Sequence, residues 1–364
     1  MIPKGTNRIT AEWLDKVLHN SGYLKDFSIE SISREPWGVG EGFMSDMARL
    51  KITYDKEYPG LPKTMIAKMP TTFKTAKAVA LQYNVFEKEI RFYNEIAPKS
   101  SIRVPDLIYS DYDLEAKKFI LILEDCSCYE LADQIKGLNY EQTKQAIISI
   151  ADFHARWWDA PDLFSFPWIF LTGEETPMSY IDTFRNSWDL AVKSEEFLEI
   201  LPEGGLEVGE KIYKHFPELI NDFRMVNLTM THFDYRADNM FFDFENNENP
   251  VITFDWGSLL VGRGIMDIAY LLALSIEIDS RRQIEKEMIR LYLKRLEEKE
   301  INGFDFDMAW DDYLQALVGY MPFLPIAFTQ LDRSDPRAIE LGKVSINRLF
   351  GAIIDNDAIS IFPS

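Results

Sequence analysis

Cysteine and histidine are both scarce in this chain. Its two cysteines, Cys126 and Cys128, stand as C-x-C among 364 residues. That is too few for a disulfide framework, and the spacing suits no bridge between them. With four histidines in the whole chain, the pair does not read as a zinc site either. Reduced thiols in a cytoplasmic protein are the expectation. Positive charge is short as well: 39 Lys and Arg face 59 Asp and Glu, a net charge of −20. Nucleic acid is therefore not expected as a partner, since phosphate backbones demand basic patches. No apolar run reaches the length of a membrane span, and MIPKGTNRITAEWLDKVL lacks an apolar signal core. No membrane partner and no signal peptide are expected. Repeats, low-complexity segments, a Walker A loop and a Rossmann fingerprint are all missing from the sequence.

What is present suffices for a large core. The chain is 46% hydrophobic and 27% charged, and its length argues for two lobes rather than one. The informative stretch is Thr231–Gly257, THFDYRADNMFFDFENNENPVITFDWG. It contains His232-x-Asp234-x-x-x-x-Asn239, followed by Asp255-Trp256-Gly257. Phosphoryl transfer from ATP needs such a set. One carboxylate accepts the proton of the attacking hydroxyl, and hard oxygen ligands hold Mg²⁺ on the phosphates. In that pattern Asp234 is the base, and Asn239 and Asp255 are the metal ligands. MFFDF and VITFD are β-rich and flank the turn-type cluster ENNENP. A hairpin turn centred on Asn247 would set Asn239 beside Asp255.

Upstream features appear in a consistent order. Residues 8–26 read as a helix with Thr10 as its N-cap and Gly22 as its stop. Gly38, Gly40 and Gly42 form a G-x-G-x-G loop between two strands, followed by Phe43-Met44-Ser45. Glycines let backbone N–H groups approach phosphate closely. Lys68 ends the apolar strand MIAK. The next helix, about residues 78–97, carries Phe86, Ile90, Tyr93 and Ala97 on one face, with Glu89 beside that stripe. A carboxylate there needs a partner, and Lys68 is the natural one. The strand Lys118–Leu123 runs into Glu124-Asp125-Cys126, which suits a hinge whose backbone bonds the adenine edge. Residues 139–158 form a long helix starting near Asn139, with His154 on its buried face as a hydrogen-bonded core histidine. Residues 160–225 mix helix and loop. The run after Asp255 leads into a nearly all-apolar helix whose Asp267 caps it or braces the catalytic loop. Trp310, Tyr313, Tyr320, Phe323 and Phe328 serve core packing or line an acceptor site.

With these features in this order, the chain resembles the aminoglycoside phosphotransferase/choline kinase superfamily over about residues 30–350. It looks most like the ecdysteroid-kinase-like (CHK-kinase-like) branch. The phrases that carry this are GEGFMSDMARL, FEKEIRFYNEIAP, LILED, IADFHARWW and THFDYRADNMFFD. The resemblance implies an α+β, bilobal, protein-kinase-like fold with a small antiparallel-sheet N-lobe and a larger, mostly helical C-lobe. The lobes would be residues 1–124, binding nucleotide, and 125–364, holding catalysis and the acceptor. It implies ATP and Mg²⁺ as cofactors and a small-molecule alcohol as acceptor. By position, Asp234 is the catalytic base, and Asn239 and Asp255 bind metal. Lys68 binds phosphate with Glu89 as its pair. Gly40, Gly42, Phe43 and Ser45 cover the phosphates, and Glu124 and Cys126 make the hinge contacts.

The glycine loop is not G-x-G-x-x-G, and two residues also depart from the family pattern. Phe233 stands where the family usually has glycine, and Asp238 adds a charge beside Asn239. They keep open an alternative, a nucleotide-binding pseudokinase or regulator without turnover. No A-P-E follows, which argues against a protein substrate. The aromatic C-terminal half suits a hydrophobic alcohol, and the acidity suits an aminoglycoside or choline-like amine. Oligomeric state is not readable.

Overall fold

The structure is a computed structural model. It describes residues 1–37, 45–56, 60–71, 74–172, 178–221, 226–330 and 333–362. The chain forms two compact units. The first comprises Met1–Lys99, Arg103–Glu130 and Ile252–Ser258; the second comprises Ser100–Ile102, Leu131–Val251 and Leu259–Ser364. A cut at residue 124 would leave out both the last residues before Glu130 and the returning segment Ile252–Ser258.

In the first unit, α1 (Ala11–Asn20) starts where Thr10 caps it, its hydroxyl accepting from the Trp13 N–H. There follow β1 (Ile29–Pro36), β2 (Ser45–Tyr54), β3 (Thr64–Pro70), α2 (Lys74–Gln82), α3 (Val85–Arg91), β4 (Leu107–Asp113) and β5 (Lys118–Glu124). The strands form one antiparallel sheet in the order β1-β2-β3-β5-β4. Alternation along β3 sends Met65, Ala67 and Met69 into a core with Leu14 and Leu18 of α1 and Ile120 and Ile122 of β5. Ile66 and Lys68 take the other face by the same period of two. There α3 packs, with Phe86 stacked on Phe119 at 4.4 Å between centroids.

The expected single helix over 78–97 is two helices. The chain breaks at Asn84, which adopts φ 52 before α3 begins. Asparagine tolerates that left-handed conformation better than most residues, so it is where the chain can turn. After Arg91 the helix widens into a π-turn over Phe92–Ile96.

The second unit begins as β6 (Glu130–Leu131) ends and continues with α4 (Tyr140–Trp157), capped by a reciprocal pair of bonds between Asn139 and Gln142. Next come α5 (Met178–Ala191), α6 (Glu195–Ile200), α7 (Gly205–Asn221), β7 (Leu228–Thr231) and β8 (Met240–Phe242). The strand β9 (Val251–Thr253) carries the chain back into the first unit, and β10 (Leu260–Arg263) returns it. The unit closes with α8 (Ile265–Leu274), α9 (Ile278–Glu298), α10 (Phe306–Tyr320), α11 (Phe323–Gln330) and α12 (Pro336–Asp355). β7 and β10 pair antiparallel. The apolar α8 is buried along nearly its whole length, including Asp267. Trp310, Tyr313, Tyr320, Phe323 and Phe328 lie on α10 and α11, and Tyr313 and Tyr320 are buried. Among the described residues, no helix is long and apolar enough to cross a membrane.

Candidate active site

The first unit gathers two carboxylates around Lys68. Its Nζ lies 2.6 Å from Glu89 Oε1 and 2.8 Å from Asp255 Oδ1. Lys68 is 5% and Glu89 1% exposed, while the Asp255 side chain is 43% exposed. The local sequence explains the meeting. Lys68 faces α3 because it shares parity with Ile66 on β3. Glu89 faces the sheet because it lies three residues after the buried Phe86 on the helix. Burial opposes the Lys68 ammonium, yet the Asp255 and Glu89 carboxylates outweigh it and raise its pKa. Burial also raises the Glu89 carboxyl, to about 7, against the pull of Lys68. For Lys68 the attraction wins; for Glu89 desolvation wins. The 2.6 Å contact favours an intact ion pair. Glu89 Oε2 and the Tyr93 hydroxyl are buried without a partner among the described residues.

Asp255 is held in a costly backbone conformation, φ 65. The following residue anchors it: Trp256 stacks on Phe92 of the π-turn, centroids 3.9 Å apart and planes 6° from parallel. Gly257 packs against α3 so tightly that a Cβ would lie 2.5 Å from Val85 Cγ1 and 3.1 Å from its carbonyl oxygen. The glycine is needed there for close approach. Asp255 thus offers a half-exposed carboxylate on a fixed backbone.

The second unit holds the loop from His232 to Asn239. Asp267 of α8 accepts the His232 N–H at 2.7 Å through Oδ2 and the Phe233 N–H at 2.8 Å through Oδ1. His154 Nε2 lies 3.1 Å from Asp267 Oδ2, and its Nδ1 lies 3.0 Å from the Tyr292 hydroxyl. The consistent assignment has Nε2–H donating to the carboxylate and Nδ1 accepting from the phenol, whose own pKa is pushed up by burial and then by Asp267. His154 is therefore a hydrogen-bonded core residue, and Asp267 braces the loop. Phe233 sits at φ 66, a conformation that glycine adopts freely. Asp267 holds it there, and its ring packs near Tyr320 and Phe323, at 5.6 and 6.1 Å.

Asp234 is surrounded by donors. Asn239 Nδ2 lies 3.0 Å from its Oδ2 and 2.9 Å from its carbonyl oxygen. Arg236 Nε lies 3.2 Å from Oδ1. Burial first, then the Asp234 carboxylate, raises the pKa of the buried Tyr270 phenol. With its amide nitrogen on Asp234, Asn239 keeps its amide oxygen as a hard donor. The neighbouring acid Asp238 points elsewhere. It accepts the Gln134 N–H at 2.8 Å and pairs with Arg337 at 2.9 Å and Arg236 at 3.2 Å. Its added charge is neutralised within the fold.

Arg236, Tyr270 and Gln134 were not singled out from sequence. The one available signal was an arginine two residues after the base. Of the other expected site residues, Ser45 opens β2 opposite Pro70. Gly40, Gly42 and Phe43 lie outside the described residues. The Glu124 N–H donates to the Asp106 carbonyl at 2.9 Å, so that hinge donor is already committed. The buried Cys126 accepts the Tyr129 N–H through its carbonyl at 3.0 Å, and burial pushes its thiol up strongly. Asn239 belongs to the second unit and Asp255 to the first. Near the turn, the Asp243 N–H donates to the Pro250 carbonyl at 2.8 Å. Among the described residues, no group of three or more His, Cys, Asp or Glu is arranged to hold a metal.

Comparison with solved structures shows the fold. The choline kinase of Cryptosporidium parvum Iowa II has a TM-score of 0.52 at 13% identity, over 90% of this chain and 89% of that one. The GDP complex of a variant of aminoglycoside 2'-phosphotransferase-IIIa has 0.52 at 14%, over 95% and 98%. Amicoumacin kinase hAmiN, solved with AMP-PNP and Ca²⁺, has 0.51 at 14%, over 94% and 93%. The fold is thus the α+β, kinase-like fold of small-molecule phosphotransferases. A comparison with curated proteins finds no match. The chain belongs to the ecdysteroid kinase-like family, whose model matches residues 39–158 and 172–302.

Proposed function

We propose that this protein transfers the γ-phosphate of ATP, with Mg²⁺, to a hydroxyl group of a small molecule. The observation that carries the reading is the buried Lys68 ammonium shared between Glu89 and Asp255. A surface lysine needs no such arrangement. Removing the Lys68 and Glu89 charges from water is expensive unless their positions are used. Such a cation, fixed at the end of a central strand, suits the nucleotide's phosphates.

The donor set suits Mg²⁺. A half-exposed carboxylate at Asp255 and an amide oxygen at Asn239 are hard ligands of the kind that leave room for waters and phosphates. The metal, when bound, draws charge off the phosphate oxygens. Lys68 holds the nucleotide's phosphates, and Glu89 fixes the lysine. Cys126 contributes hinge backbone to the adenine edge. Asp234 takes the proton of the attacking hydroxyl, and Asn239 holds Asp234 in place. The first unit to Glu124 serves as the nucleotide lobe, and the remainder serves catalysis and acceptor binding, in the cytoplasm.

The acceptor is a hydrophobic alcohol or an amine-bearing one. Phe233 and Phe323 lie beside the base, with Phe233 packed near the buried Tyr320, and the first two offer aromatic faces to either. The test is transfer of labelled γ-phosphate from ATP, with GTP in parallel, across a panel of both alcohol types. The wild type labels at least one acceptor. Asp234→Asn loses on the order of 10²–10⁴-fold in turnover while still binding nucleotide. Binding without turnover, unaltered by Asp234→Asn, would leave a nucleotide-binding regulator.

A further inference from the structure

Four side chains in the second unit form a row of alternating charge. Arg337 at the start of α12 pairs with Asp238 at 2.9 Å, Asp238 pairs with Arg236 at 3.2 Å, and Arg236 pairs with Asp234 at 3.2 Å. Two further bonds lock the row. The Gln134 N–H donates to Asp238 at 2.8 Å, and Arg236 Nη1 donates to Gln134 Oε1 at 2.9 Å. Gln134 is buried, and the Arg236 side chain is 17% exposed. A long arginine tied down at one edge is directed at the other. Here the directed edge is Nε, and it meets the base.

We propose, resting on the phosphotransferase reading above, that Arg236 is the cation that neutralises the phosphoryl group in transfer. Asp238 and Arg337 are its positioning residues. The chemistry sets the distances. A base takes its proton from a hydroxyl about 2.6–3.2 Å away. That oxygen stands about 3–3.5 Å from the phosphorus it attacks. A guanidinium already on the base is therefore one side-chain rotation from the equatorial phosphoryl oxygens. In the step itself, the acceptor oxygen forms a bond to the γ-phosphorus. The bond from that phosphorus to the β,γ-bridging oxygen breaks, and its electron pair stays on ADP. The hydroxyl proton passes to the Asp234 carboxylate. As the phosphoryl group loosens from ADP, Arg236 leaves Asp234 for its oxygens, which frees the carboxylate to accept the proton. This also gives Asp238 a purpose. An unanchored arginine would neutralise the base without being delivered to the phosphate.

The test needs no knowledge of the acceptor. Binding of MgADP alone is compared with MgADP plus aluminium fluoride, a mimic of the planar phosphoryl, by calorimetry. The wild type is expected to bind the fluoride complex at least tenfold tighter than MgADP. Arg236→Gln keeps a polar side chain without the charge; it is expected to lose that increment and to hold MgADP within about threefold. Its ATP hydrolysis should fall on the order of 10²–10³-fold in kcat with little change in KM. Asp238→Asn should lose part of the increment. Circular dichroism checks the fold. If Arg236→Gln does not fold, Arg236→Lys replaces it, expected to lose tenfold or more of the increment because it lacks the fork. An unchanged increment in either variant overturns the proposal. So does an equal loss for MgADP alone, which makes Arg236 a structural or ground-state residue. A wild type that binds MgADP but gains nothing from aluminium fluoride overturns it too. A wild type that binds no nucleotide overturns the phosphotransferase reading first, and this inference with it.

Discussion

The two units hold their charged groups in opposite ways. In the first, side chains hold side chains: Lys68 sits between Glu89 and Asp255, and of these three only Asp255 has positive φ. In the second, a buried side chain holds backbone: Asp267 grips two consecutive N–H groups, and the loop residue between His232 and Asp234 is bent to positive φ. The difference matters for robustness. An ion pair that loses one member can reprotonate or move. A loop whose two N–H groups lose a buried acceptor has nowhere to turn.

Removing Asp267 should therefore be the most damaging change. Asp267→Ala leaves two loop N–H groups and the buried His154 without their acceptor. The expected cost is about 3–5 kcal/mol in urea unfolding. A cost below about 1 kcal/mol would mean that the loop is held by something else. On the other side, Lys68→Met should leave the fold nearly intact. Glu89, with its carboxyl already raised to about 7, can take a proton and remain buried. The loss should appear in nucleotide affinity, roughly ten- to hundredfold, the worth of a charge-assisted bond. A large loss of stability with normal affinity would reverse the contrast.

Much of the first unit was legible because its contacts follow local periods. A period of two aimed Lys68, and a helical period aimed Glu89, so their meeting could be read from two short segments. The break at Asn84 was not legible, because α2 and α3 share good helix formers and their separation rests on one left-handed asparagine. The stacking of Trp256 on Phe92 was also invisible, since it joins residues far apart in sequence. In the second unit the H-x-D-x-x-x-x-N spacing marked the loop, and Asp267 was identifiable as a charge in an apolar helix. Its supports were not. Arg236 meets Gln134, and Asp238 meets Arg337, only after the fold has brought distant segments together. Asp238 looked like an intrusion beside Asn239 until its three partners were in view.

A smaller change sharpens the comparison within the first unit. Gly257→Ala would place a methyl against Val85 and its carbonyl. Overpacking of this kind costs about 1–3 kcal/mol. It should also displace Asp255 and weaken Mg²⁺-dependent binding more than Mg²⁺-free binding. Titrating nucleotide with and without the metal separates the two effects. Equal weakening in both would detach Gly257 from the metal ligand.

The most direct test of the central claim is thermal unfolding with ATP or GTP, with and without Mg²⁺, in the wild type and in Asp255→Ala. A ligand that binds only the folded chain stabilises it by mass action, about 2.7 kcal/mol at a hundredfold excess over Kd. The account predicts a nucleotide-dependent rise in Tm that Mg²⁺ enlarges in the wild type, with the enlargement lost in Asp255→Ala. No rise with any nucleotide, or the same Mg²⁺ effect in both chains, would contradict it.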